Sequence, residues 1–254
     1  MRLATWNVNS LKVRLPHVLD WLNANPVDVL CLQETKQQDS DFPQASLQEA
    51  GYHSVFSGQK TYNGVAILSR VPGQDVQHGI PGYDDDQKRV IAATYGDIRV
   101  VDVYIPNGQS LESDKYQYKL AWLTALHGWL KQELVRYPNL VLLGDYNIAP
   151  EDRDVHDPVA WQGNVLVSEP EREQFRGLEQ LGLYDSFRLF EQAEKSFSWW
   201  DYRMMGFRRN HGLRIDHILI SEPLVAQCKG CVIDKEPRKL ERPSDHTPVI
   251  VELL

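Results

Sequence analysis

The stretch NLVLLGDYNIAP, from Asn139 to Pro150, constrains this chain more than any other. Leu140 to Leu143 are a continuous apolar run, the pattern of a strand buried on both faces. Gly144 closes the run, and Asp145 and Asn147 follow it. At spacing i, i+2 in extended chain, two side chains point to the same side. A buried strand that ends by aiming a carboxylate and an amide at one spot is costly unless something uses them. Their oxygens suit a hard cation such as Mg²⁺, or an attacking water. A plain capping aspartate fits the same pattern, so the choice falls to the other polar clusters.

Other segments repeat the theme of a strand that ends in polar residues. In RLATWNVNS, Leu3, Thr5 and Asn7 alternate with Ala4, Trp6 and Val8, which predicts a strand. Leu15, Val18, Leu19 and Leu22 share one helical face that stops at Asn25-Pro26. The run Val27 to Leu32 then leads into Gln33 and Glu34. YNGVAILS reads as a strand, and RVIAATY and IRVVDVYIP read as a hairpin turning at Gly96-Asp97 and ending at Tyr104. Leu123, Leu126, Leu130 and Leu134 predict a long helix into the focal strand, with Trp122 and Trp129 as core. Ser168 to Glu171 form a capping box opening a short helix. FSWW, GLRIDHILIS, VIDKE and HTPVIVELL supply the last expected strands. No low-complexity linker or composition shift interrupts the chain, so one domain over residues 1–254 is expected, with two βα layers packed face to face.

No apolar run approaches a membrane span, and MRLATWNVNS lacks the apolar stretch of a secretory signal, so a cytoplasmic protein is expected. No interface stands out, and a monomer is expected. Three cysteines, an odd number, argue against a disulfide framework. Cys228 and Cys231 form a C-x-x-C without two further zinc ligands nearby, and they read as structural. The formal net charge of −8 argues by itself against a nucleic-acid partner. The basic residues nevertheless cluster, as Lys88 and Arg89, as Arg203, Arg208, Arg209 and Arg214, and as Arg238, Lys239 and Arg242. The middle group carries the more specific signal, and the last reads as a solvated face.

Polar residues at or just beyond expected strand ends are Asn7, Glu34, Tyr104, Asp145, Asn147, Asp216, Asp245 and His246. Asp216 interrupts an otherwise apolar strand and needs a partner there. One aspartate in a strand is commonplace, but eight such residues at the ends of different strands favour a shared site.

Taken together, WNVNS, LQETK, GVAILS, VYIPNG, GDYNIAP, LGLYDSFR, FSWWDYR, GLRIDHILIS and PSDHTPV resemble the exonuclease III family of DNA-repair enzymes. That family lies within the wider endonuclease/exonuclease/phosphatase group. The match runs in order from Trp6 to Val249. GDYN and SDH also fit relatives acting on lipids or RNA, while LQETK, LGLYDSFR and WWDYR with GLRID point to the abasic-site nucleases. The resemblance implies a four-layer α/β sandwich, two mixed β-sheets packed together and flanked by helices. It implies Mg²⁺-dependent hydrolysis of DNA phosphodiesters, with Mn²⁺ as a substitute, 5′ to abasic sites and at 3′ ends of duplex DNA. The runner-up is a 3′-end exonuclease or phosphodiesterase with little internal incision. An RNA nuclease or a non-catalytic regulator on the same fold ranks lower.

Roles carry over residue by residue. Glu34 matches the principal metal carboxylate, supported by Asn7 and Asp245, with Asp145 and Asn147 also at the metal. Asp145 matches the residue that positions or deprotonates water, and Asn147 an amide on the phosphate. Asp216 is expected to orient His246, which contacts the scissile phosphate, and Tyr104 matches an active-site phenol. Trp199, Leu213 and Ile215 match a small apolar pocket for a base-less sugar, a shape filter of the kind used by enzymes that extrude a nucleotide. A core role is the competing expectation for all three, and for Ile215 above all. Arg203, within DYRMMGFRRNHG, suits a wedge into a DNA groove, and Lys88 and Arg89 suit phosphate contacts. Between His156 and Val167 the family varies, and this chain carries the bulky Trp161, Val165, Leu166 and Val167. A bulky side chain at the pocket mouth would favour 3′ ends over internal sites.

Overall fold

The computed structural model describes residues 1–254. The first seven strands are β1 (Arg2–Asn7), β2 (Val29–Gln33), β3 (His53–Ser57), β4 (Val65–Ser69), β5 (Gln74–His78), β6 (Val90–Tyr95) and β7 (Ile98–Tyr104). They are followed by β8 (Leu140–Asp145), β9 (Leu183–Asp185), β10 (Trp199–Trp200), β11 (Gly212–Leu213), β12 (Asp216–Ser221), β13 (Cys228–Ile233) and β14 (Val249–Leu253). The helices are α1 (Leu11–Ala24), α2 (Gln44–Glu49), α3 (Asp114–Arg136), α4 (Pro158–Trp161), α5 (Glu169–Gln180), α6 (Gly206–Arg209) and α7 (Glu222–Val225).

Two six-stranded sheets result, in the orders β13-β14-β1-β2-β4-β3 and β5-β6-β7-β8-β12-β9. Each has one parallel pair at its centre, β1 with β2 and β7 with β8, among antiparallel neighbours. Leu3, Cys31 and Val251 of one sheet pack on Val100, Leu143 and Ile218 of the other. The opposite faces bury Trp6 and Leu30 against Val18, Trp21 and Leu22 of α1, and Leu142 against Leu126 of α3 and Phe175 of α5. The central strands are therefore apolar on both faces, as Leu140 to Leu143 require, and the architecture is a four-layer α/β sandwich.

This topology explains why polar residues gather at one rim. Both parallel pairs run toward it, so the C-terminal residues Asn7, Tyr104 and Asp145, and Glu34 just after β2, arrive together. Strand β12 runs antiparallel to β8, which sets its first residue, Asp216, opposite Asp145. Strand β14 runs antiparallel to β1, so Asp245 and His246 reach the same rim from its N-terminal side.

Several local expectations change. Gly144 does not close the focal strand; it lies within β8, where a Cβ would meet the Val103 carbonyl at 1.9 Å. GLRIDHILIS is two strands, because the Ser198 hydroxyl takes the N–H groups of both Ile215 and Asp216 and replaces their ladder partners. The strand expected at VIDKE is β13, which overlaps it only at Val232 and Ile233. Strands β3 and β5 escape a reading from periodicity because they are edge strands, β5 exposed and polar. Arg214 is not a surface cation. It is buried between Asp154 and Asp185 at 2.7 and 2.8 Å. Arg238 is buried as well, against the Phe207 ring, rather than on a solvated face. Cys228 and Cys231 are free thiols, and burial pushes Cys231 up to about 12, which leaves it inert at neutral pH.

His217 gives this packing a pH signature. Burial, with the Arg214 guanidinium beside it, pulls its pKa down to about 4. In the unfolded chain a histidine titrates near ~6.5. As pH falls through that window the unfolded chain binds the proton first, so stability is complete above pH ~6.5 and declines by up to about 3 kcal/mol toward pH ~4. Urea unfolding at pH 7.5 and at pH 4.5 is expected to show a smaller loss in a His217→Gln variant than in the natural chain.

Candidate active site

The rim residues form one buried network spanning both sheets. Asn7, from the first sheet, donates its side-chain amide to Glu34 Oε1 at 2.9 Å and to Asp145 Oδ2, in the second sheet, at 2.8 Å. Its own oxygen accepts the Asn9 N–H at 3.0 Å. Asp145 and Asn147 do converge, but not through extended-chain alternation. The chain turns after Asp145, Asn147 takes a left-handed φ of +49°, and its N–H donates to Asp145 Oδ1 at 2.9 Å. Asparagine tolerates that conformation better than most residues. The Asn147 amide then donates to the Ile105 carbonyl at 3.0 Å. Glu34 is also left-handed, with φ +51°. Such backbone concentrates where surrounding contacts hold a site in place.

Asp216 accepts from His246 Nδ1 at 2.9 Å and from the Ser198 hydroxyl at 2.6 Å. The other ring nitrogen, Nε2, faces Asp145 Oδ2 at 3.7 Å. Burial alone would favour neutral imidazole, but Asp216 and Asp145 outweigh it and raise the His246 pKa to about 10. Asp145 moves the other way. Burial lifts its carboxyl, His246 opposes, Asp216 and Glu34 add, and the balance lies at about 7. Burial and the carboxylates of Glu34 and Asp145 push the Tyr104 phenol well above its usual value. The phenol is therefore a hydrogen-bond donor at neutral pH.

Ligand atoms of Glu34, Asp145 and His246 lie within 4.8 Å of one another. The carboxylates of Glu34 and Asp145, bridged by the Asn7 amide, are oxygen donors suited to a hard divalent ion. The lifted Asp145 pKa is itself a mark of fit, since a nearby cation would hold that buried carboxylate ionised. Asp245 lies outside this trio, its oxygens taken by Asn9 Nδ2 and Trp199 Nε1, both at 3.0 Å. Asn147 is beside Asp145, its amide 3.3 Å from Oδ2.

Four further residues complete the network without having been singled out from sequence. Lys36 pairs with Glu34 at 2.9 Å, Asn9 links Lys36 to Asp245, Ser198 braces Asp216, and Asn107 donates to Asn147 Oδ1 at 3.1 Å. Asn107 carried a signal, since it lies three residues after Tyr104 in VYIPNG. Asn9, Lys36 and Ser198 lie in WNVNS, LQETK and FSWWDYR, but as ordinary polar residues in loops they carried no signal of a specific role.

The peripheral candidates separate. Arg89 stacks on Tyr104 at 4.6 Å and lines a cleft of about 640 Å³ with Tyr62, Asn107, Lys115 and Tyr118. Lys88 is exposed next to it. Trp199 is half-buried beside Asp245, while Leu213 and Ile215 are fully buried and packed with Leu166. Arg203 is exposed and paired with Asp201 at 2.6 Å, flanked by the exposed Met204 and Met205.

The description Endonuclease/Exonuclease/phosphatase family fits residues 4–246. Exodeoxyribonuclease III of Haemophilus influenzae is 36% identical over 99% of each chain. Among solved structures, a 3′ phosphatase from Neisseria bound to product DNA hairpin is 50% identical with a TM-score of 0.98, covering 100% of this chain and 99% of the other. An AP endonuclease from Archaeoglobus fulgidus is 40% identical with a TM-score of 0.96, over the same shares. A carboxylate-rich rim, a sandwich that superposes throughout and full-length identity agree: the chain belongs to the Endonuclease/Exonuclease/phosphatase family and is a nuclease-type hydrolase of its exodeoxyribonuclease III branch.

Proposed function

We propose that this protein is a Mg²⁺-dependent DNA-repair nuclease that removes phosphates and nucleotides from 3′ ends of duplex DNA. The observation that carries the reading is one buried cluster in which Asp145 Oδ2 lies 3.7 Å from His246 Nε2 and ligand atoms of Glu34, Asp145 and His246 fall within 4.8 Å of one another. A base with a pKa near the working pH can take a proton from water in the transition state. Fixed donors aimed at developing charge supply the remainder.

In this reading Asp145 accepts the proton of the attacking water. Asn147, Asn107 and His246 donate to the non-bridging phosphate oxygens. Tyr104 donates its phenolic proton as a hydrogen bond, and Asp216 keeps the imidazole charged and oriented. Glu34 and Asp145 would hold the metal, with Asn7 donating its amide to both carboxylates, Asn147 beside Asp145 and Asp245 fixing the loop through Asn9. When bound, Mg²⁺, or Mn²⁺ in its place, would neutralise charge on the phosphate oxygens. Arg89, Lys88 and Lys115 line the path for the DNA backbone, and Arg203 with Met204 and Met205 would enter a groove. The enzyme is proposed to act as a monomer in the cytoplasm.

Incision 5′ to internal abasic sites is the second activity, favoured by the likeness to an AP endonuclease. Leu166 stands against its being strong. Its side chain, only 4% exposed, packs with Leu213 and Ile215 where the base-less sugar would enter. A duplex terminus can approach without filling that space; an extruded internal sugar cannot.

A duplex with a 3′-phosphate, one with a recessed 3′ end and one with an internal abasic analogue test these readings together. Release of phosphate and nucleotides in Mg²⁺, abolished by EDTA, is the expected result; persistence in EDTA would refute metal dependence. Internal incision is expected to be weak in the natural chain and at least about tenfold faster in Leu166→Gly, the scale on which a methylene-sized misfit acts. Strong incision unchanged by that substitution would sink the steric account. Asp216→Asn removes the main charge that raises His246, so its activity should fall as pH climbs through neutrality, in a range where His246 of the natural chain remains protonated.

A further inference from the structure

The ion pair between Lys119 and Glu171 is used by nothing described so far. Both side chains are fully buried, and they meet at 2.5 Å. Lys119 projects from α3, and Glu171 from the first turn of α5. The ammonium has three protons and three acceptors: the Asn107 carbonyl at 3.2 Å, the Asn147 carbonyl at 2.6 Å and Glu171 Oε1. The carboxylate is used as fully. Its Oε1 also accepts the Leu166 N–H at 3.0 Å, and its Oε2 accepts the Ser168 N–H at 3.1 Å and hydroxyl at 2.6 Å.

The Ser168 bonds cap a helix and explain one oxygen. They do not explain the other. Through Oε1 the two asparagines on the phosphate side and Leu166 on the pocket side hang from the same pair. The ends of this chain of bonds, Asn147 at φ +49° and Leu166 at φ +77°, are both left-handed. Such backbone persists only where its surroundings over-determine it. Gly108, next to Asn107, brings the two sides together, for a Cβ there would meet Val165 at 3.0 Å and Lys119 at 3.4 Å.

We propose that Lys119 and Glu171 are positioning residues that couple the phosphate donors to the specificity segment: Lys119 sets Asn107 and Asn147, and Glu171 holds Leu166 in the sugar pocket. The inference rests on the reading of the chain as a 3′-end nuclease. A well-packed apolar pair would often stabilise this volume as well or better. It could not direct three backbone groups of two loops at once.

Lys119→Met is expected to lower kcat on a 3′-phosphate about 10- to 100-fold with KM nearly unchanged, the scale on which misplacing reactive groups acts. Glu171→Gln must turn its NH₂ toward either Leu166 or Ser168, since donors face both oxygens. It is expected to speed hydrogen exchange at the Leu166 amide and to raise internal abasic incision, relative to 3′-end activity, roughly tenfold, the loss of one charge-assisted bond. In a Leu166→Gly background the same change should give no further gain, because the two act through one contact. Should Lys119→Met not fold, the double variant Lys119→Met/Glu171→Gln leaves no buried charge and should show both effects. Parallel loss of both activities with unchanged Leu166 exchange would overturn the coupling, as would an equal gain in the Leu166→Gly background. A natural chain without any 3′-end activity would instead overturn the functional reading on which it rests.

Discussion

Three carboxylates share a water-poor rim where two sheets meet, and their mutual repulsion is what the surrounding structure is built to contain. Asp145 and Asp216 are the end residues of neighbouring antiparallel strands and are directly opposite each other. Glu34 arrives from the other sheet. Left alone, such a group would protonate, which is the direction in which Asp145 moves. Asn7 places one amide between Glu34 and Asp145, Ser198 and His246 take Asp216, and Lys36 takes Glu34. Each donor comes from a different segment, so the network also ties the two sheets together at the rim.

The remaining negative charge is useful chemistry. A buried carboxylate whose pKa is raised is suited to accept a proton, and an excess of oxygen donors suits a divalent cation. The cost of assembling the site and its activity therefore have one origin. The histidine is drawn into this balance, since Asp216 and Asp145 favour its protonated form against the cost of burial.

Chemistry and specificity sit on different supports. The reacting groups are at the ends of central strands, braced on both faces by apolar layers. The segments proposed to choose a substrate are in connections: residues 156–167, the segment around Met204 and Met205, and the Asn107-Gly108 turn. A packed strand end cannot shift without moving its layer, whereas a loop can change residue by residue. Leu166 lies in such a connection, packed against Leu213 and Ile215, and in the proposed reading a change there alters sugar entry without moving the strand ends.

How much of this was legible follows the physics of each signal. Runs such as Val27 to Leu32 and Leu140 to Leu143 are visible because double-sided burial demands unbroken apolar sequence. The polar residues that break them, Asn7, Glu34, Tyr104, Asp145 and Asp216, stand out for the same reason. Sequence by itself thus determined the central strands, the long helices, the hairpin at Gly96-Asp97 and the identity of the rim residues. Tertiary structure alone decided the rest. Edge strands β3 and β5 lack a two-sided core and leave no periodic trace. Arg214 and Arg238 look like surface cations until distant partners, Asp154, Asp185 and Phe207, are brought to them. Asn9, Ser198 and the Lys119–Glu171 pair gain their meaning from Asp245, Asp216 and each other, 236, 18 and 52 positions away, and Lys36 from Asn9, 27 positions away. Hydrogen bonds and charge balance are relations between groups, and only the folded chain fixes which groups are neighbours.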